Sequence, residues 1–138
     1  MLGSTNFHGL TNALLEEGPI WSFVKPALNE RMWFLSSGPI EADSPNLLTS
    51  ARMGSRSAEL RKEFDFIIID APPMTRHADA IALGQVSDGL VLILEAESTR
   101  REAALTVVEN LRSSQVQILG AVLNKRVFPI PEGIYCKL

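Results

Sequence analysis

The feature that most constrains this 138-residue chain is the run Phe64-Asp65-Phe66-Ile67-Ile68-Ile69-Asp70-Ala71-Pro72-Pro73. Three consecutive isoleucines are β-branched and stiff, and an unalternated apolar run reads as a strand covered on both faces, as in a parallel sheet. Pro72 and Pro73 have no N–H with which to continue a ladder, so the chain leaves the sheet just after Asp70. That puts Asp70 at the carboxyl end of the expected strand, beside the crevice where open α/β sheets bind ligands. A carboxylate there suits Mg²⁺, held directly or through water, and the orientation of nucleotide phosphates. The same residue equally suits a plain role as the cap of the following turn.

Three further runs have strand length: Arg31 to Ser36, Gly89 to Glu95 and Val116 to Asn124. Helical patterns separate them. Ser44-Pro45 has the form of an N-cap followed by proline in the first helical position, with Leu47, Leu48 and Ala51 at helical spacing behind it. Gly54 weakens this helix by about 1 kcal/mol relative to alanine. Thr99-Arg100-Arg101-Glu102 has the form of a capping box, and Ala104, Val107, Val108 and Leu111 then recur on one helical face. Strand, helix and strand in alternation imply βαβ units in a layered α/β sheet. The first 30 residues read as a short helix around Leu10 to Leu15 followed by irregular chain. Residues 127–138, with Pro129, Pro131 and Gly133, read as a flexible tail. One domain over 1–138 accommodates all of this.

Composition narrows the partners. A net charge of −3 and a pI near 5.4 create no field that would draw nucleic acid or an anionic membrane. The single cysteine, Cys136, permits neither an internal disulfide nor a cysteine-based zinc site, and His8 and His77 are far apart in sequence. No run approaches the roughly 18 apolar residues of a membrane span, and the start has no basic-then-apolar signal. The chain therefore reads as cytoplasmic, without direct membrane insertion.

In their order and spacing these segments resemble the bacterial tyrosine kinases, the autokinases of capsular and exopolysaccharide synthesis within the MinD/ParA-like P-loop ATPases. The resemblance is carried by Gly9-Leu10-Thr11-Asn12-Ala13-Leu14, Leu35-Ser36-Ser37-Gly38-Pro39, Ser44 to Met53, and Phe64 to Pro73. Further along it is carried by Asp79-Ala80, Asp88 to Ile93, Thr99 to Glu102, and Gly120-Ala121-Val122-Leu123-Asn124. It implies a three-layer P-loop NTPase-like fold with a mostly parallel sheet, and ATP and Mg²⁺ as cofactors. Within that fold Asp70 is the Walker B aspartate, catalytic and metal-binding. Asn124, at the end of the last strand, lies near the adenine, or serves only as a strand-end turn residue. Asp79 follows Walker B, where it also reads as a helix N-cap. Arg100 and Arg101 face a partner's phosphate or tyrosine tail, or simply form a solvated helix start. Tyr135, the only tyrosine, is the phosphoacceptor candidate, or an aromatic anchor for the tail.

The sequence departs from the family in one respect that bears directly on chemistry. It contains no G-x-x-x-x-G-K-[ST] and no Walker A-prime aspartate motif. The backbone N–H cradle, the phosphate lysine and the hydroxyl ligand for Mg²⁺ are thus missing from it. The resemblance therefore reads as the C-terminal part of such a domain, its sheet incomplete at the N-terminal side and inactive alone. Unpaired edges would then invite self-association, or docking on a kinase or membrane activator of polysaccharide export at the inner membrane face. Two rival readings stand beside it: a non-catalytic interaction module, and a MinD/ParA-type ATPase. The proline-rich tail offers the latter no amphipathic membrane helix.

Overall fold

A computed structural model describes residues 8–27, 31–41, 44–74 and 77–127. The chain divides into two compact units, Met1–Pro72 and Pro73–Leu138.

In the first unit, helix α1 (Leu10–Leu15) is followed by a 3₁₀ turn (Ile20–Ser22), strands β1 (Lys25–Pro26) and β2 (Trp33–Phe34), and helices α2 (Ser44–Leu48) and α3 (Ala51–Glu63). β1 and β2 are antiparallel, with Lys25 opposite Phe34 and Pro26 opposite Trp33. The strand expected over Arg31 to Ser36 is thus only two residues long. Its continuation is taken by α1: the Leu10 and Thr11 amides donate to the Ser36 and Ser37 carbonyls at 2.7 and 2.9 Å. Those amides belong to the first turn of a helix, where no intrahelical acceptor exists, so the loop caps the helix instead of extending the ladder. The approach is close enough that a Cβ on Gly9 would overlap the Ser36 carbonyl oxygen.

The helix expected to run unbroken from Ser44 is two helices. Ser50 breaks it, adopting an extended backbone and capping α3 with its own hydroxyl, which accepts from the Met53 amide at 3.3 Å. The same hydroxyl donates to the Leu47 carbonyl at 2.7 Å, tying off α2. Serine competes for backbone groups in this way, which is why it favours helix ends over interiors.

Ala13, Ile20 and Phe23 form the core of this unit, with Val24, Leu35 and Leu60 against them. Beside them lies a buried arginine. Arg56, 4% exposed, donates through Nε to the Ala13 carbonyl at 2.8 Å, and through its terminal nitrogens to the Gly18 carbonyl at 2.8 Å and the Glu16 carbonyl at 3.2 Å. Its charge is answered by Glu59 at 2.9 Å, and its guanidinium lies 5.7 Å from the centre of the Phe23 ring. The planar five-donor fork can satisfy several unpaired carbonyls at the end of α1 at once, which an ammonium could not.

The run Phe64 to Asp70 departs from expectation. It belongs to no described strand, and the backbone bends at Asp65. Phe66 and Ile68 are 90% and 94% exposed, and Ile67 and Ile69 are exposed to a lesser degree. Strand identity requires a neighbour's amides and carbonyls as well as suitable side chains, and no described strand pairs with this one. Phe64 alone is anchored, its ring centre 5.1 Å from that of Trp21, which in turn meets Trp33 edge-on at 4.9 Å.

The second unit is a βαβ unit preceded by a helix: α4 (Asp79–Gln85), β3 (Leu90–Glu95), α5 (Arg101–Ser113) and β4 (Ile118–Asn124). β3 and β4 are parallel, in register from Val91 opposite Gly120 to Glu95 opposite Asn124, with one irregularity between Leu90 and Val91. Leu92, Leu111 and Val116 form the core, joined by Ile81, Leu90, Val107, Val108 and Ile118. Val107, Val108 and Leu111 come from the face of α5 that the sequence marked. The sheet is covered on one face only among the described residues. Val91, Ile93 and Val122 share the other face through register and stay exposed.

The start of α5 is also built differently from the expected capping box. Arg100 occupies the N-cap without a side-chain cap bond, and Thr99 Oγ1 accepts from the Glu95 amide at 2.9 Å. The hydroxyl closes the turn leaving β3, and is therefore not directed at the helix.

Candidate functional site

In the second unit the carboxyl ends of β3 and β4 form a worked surface. Glu95 closes β3, and its carbonyl accepts from the Ser98 and Thr99 amides at 3.3 and 2.9 Å. With the Thr99 hydroxyl on the Glu95 amide, this makes a tight turn in which Glu97 takes a left-handed φ of 61°. A non-glycine residue in that region carries strain that the surrounding hydrogen bonds must hold. Across the ladder the Ala96 amide donates to the Asn124 carbonyl at 2.9 Å, and Lys125, at φ 55°, reaches back to Glu95 Oε1 at 2.8 Å. Both partners of that ion pair are well exposed, so its contribution to stability is at most about 1 kcal/mol.

A pocket of about 490 Å³ opens here, with Leu94, Leu123 and Val127 as apolar wall and Glu95, Thr99 and Arg101 as polar lining. Its place at the carboxyl ends of parallel strands is where α/β sheets receive ligands.

Asn124 stands next to this pocket without lining it. Its Oδ1 accepts from the Lys125 amide at 2.8 Å. That is the turn role; the second Oδ1 lone pair and the Nδ2 donors are still available to a base edge. Arg101 lines the pocket, and Arg100 is exposed at the same helix start, as a solvated pair would be. Asp79 is not an N-cap. Ala78 holds that position, and Asp79 is the first residue of α4, where its charge complements the positive end of the helix dipole. Asp70, in the first unit, is exposed, and its carboxylate meets no side chain or amide among the described residues, so the turn-cap role finds no bond. Tyr135 and most of the 127–138 tail lie outside the described residues.

Three residues went unmarked in the sequence, two at this pocket and one in the core of the first unit. Glu95 carried the same signal as Asp70, an acidic residue closing an apolar run. Arg126 lines the pocket just past the last strand. Arg56 sat on a helix with nothing in its spacing to show that it was buried.

Whether the residues suit Mg²⁺ and ATP can be tested on donors. Mg²⁺ is commonly held by one or two carboxylates together with substrate phosphates and water. The Asp70 carboxylate fits as one such ligand, and the described residues hold no group of three or more acidic, histidine or cysteine side chains placed for a metal. The phosphate cradle has no counterpart in the sequence.

No family model matches the sequence. The tyrosine-protein kinase YwqD of Bacillus subtilis (strain 168) is 34% identical over 119 residues, covering 86% of this chain and 50% of that protein. Its homologues are bacterial tyrosine-protein kinases, CpsD of Streptococcus agalactiae among them at 29% identity over 117 residues, 85% of this chain and 51% of that protein. Among solved structures, the kinase domain of VpsO matches it with a TM-score of 0.82 at 27% identity, over 90% of this chain and 61% of that one. The chimerical protein CapA2B2 matches with a TM-score of 0.85 at 24% identity, over 92% and 56%, and supports the fold alone. The fold is the P-loop NTPase-like α/β fold of these kinase domains, with β3–α5–β4 as a parallel part of it. The chain spans about half the length of the curated relatives it matches. No described helix is long and apolar enough to cross a membrane.

Proposed function

We propose that this chain forms the Walker B and base-side portion of an ATP-binding tyrosine-autokinase domain of capsular or exopolysaccharide synthesis. The observation that carries the reading is the family match combined with a parallel βαβ unit whose strand ends open onto a pocket of suitable form. Asp70 supplies a carboxylate toward Mg²⁺. When bound, Mg²⁺ neutralises the charge that develops on the phosphates. Leu94 and Leu123 would give the base an apolar wall, and Asn124, beside the pocket, would offer Nδ2 to its edge. Arg100 and Arg101 offer donors to a phosphate or tyrosine tail from another subunit, and Tyr135 is the acceptor candidate. Phosphoryl transfer rests on positioning and charge stabilisation, and removing one principal stabilising donor costs on the order of 10²–10³ in rate. The 138 residues alone therefore turn over no ATP.

A chimera tests this reading: residues of this chain replace the matched segment of the Bacillus subtilis relative, and tyrosine phosphorylation is followed. The chimera is expected to phosphorylate, to lose the activity with Asp70→Asn, and to keep it with Asp79→Asn. Activity that survives Asp70→Asn would overturn the role given to Asp70.

One observation favours a second reading, a non-catalytic module that docks through an exposed strand. Phe66 and Ile68 lie open on an apolar segment that no described strand pairs, a surface onto which a strand from a kinase, a membrane activator or a second copy would add. That reading requires a folded chain which binds no nucleotide yet forms a concentration-dependent complex.

A further inference from the structure

We draw no further inference here: the strongest candidate, the exposed and unpaired apolar run Phe66–Ile69 that follows helix α3 in the first unit, carries nothing because nothing in the structure shows what covers it.

Discussion

Phe64–Asp70 and Leu90–Glu95 are the same kind of sequence with different outcomes. Each is a mostly apolar run of strand length, and each closes on a carboxylate. Leu90–Glu95 has β4 alongside it in register and α5 over one face, so Leu92 is buried and Glu95 is tied into a turn. Phe64–Asp70 has neither neighbour among the described residues, and beyond Phe64, which packs against Trp21, its Phe66 and Ile68 side chains point into water. β-propensity describes how well a residue fits a pleated, half-buried surface; the surface itself has to come from other parts of the chain. The βαβ unit carries its own surface within 35 residues of sequence, from Leu90 to Asn124. The Ile-rich run does not.

Substitutions sharpen this contrast. Leu92→Ala removes a buried side chain from the paired run, and should cost about 2–4 kcal/mol of stability in denaturant unfolding. A loss below about 1 kcal/mol would mean that β3 is no better packed than the unpaired run. Arg56→Ala, in the first unit, strands the carbonyls of Ala13, Glu16 and Gly18, and a loss of about 2 kcal/mol is expected. Arg56→Lys should recover only part of that, since one ammonium cannot reproduce the fork. If lysine restored full stability, the clamp on α1 would rest on charge rather than geometry. The smallest effect belongs to Ile68→Lys, which should change stability by less than about 0.5 kcal/mol. A large loss there would show that Ile68 is buried after all and erase the difference between the two runs.

Much of the second unit was legible in the sequence because its signals are local. The apolar face of α5 and the flanking strand-length runs each specify their element, and their order specifies a βαβ unit. What failed depended on distant partners or on competition for hydrogen bonds. Ser50 could be read as one more residue of a continuing helix, and only its bonds to Leu47 and Met53 show that it ends one helix and starts the next. Thr99 fitted a capping box in spacing, but the Glu95 amide offered it a partner across the turn. Arg56 was illegible because its carbonyl partners lie 38 to 43 positions away. For the site, strand-end logic marked Asp70, which ends no described strand, and applied equally to Glu95, which does end one. It could not show that Asn124 would spend one lone pair on its own turn.

The central claim is that these residues contain a Walker B carboxylate and a base-side pocket, and no group that cradles phosphate. Calorimetric titration of Mg-ADP into the 138-residue chain, shown to be folded by circular dichroism, tests it most directly. The expected result is no saturable binding in the micromolar range. Micromolar binding that weakens on Asp70→Asn would contradict the claim, because a working phosphate site would then have been assembled without a P-loop.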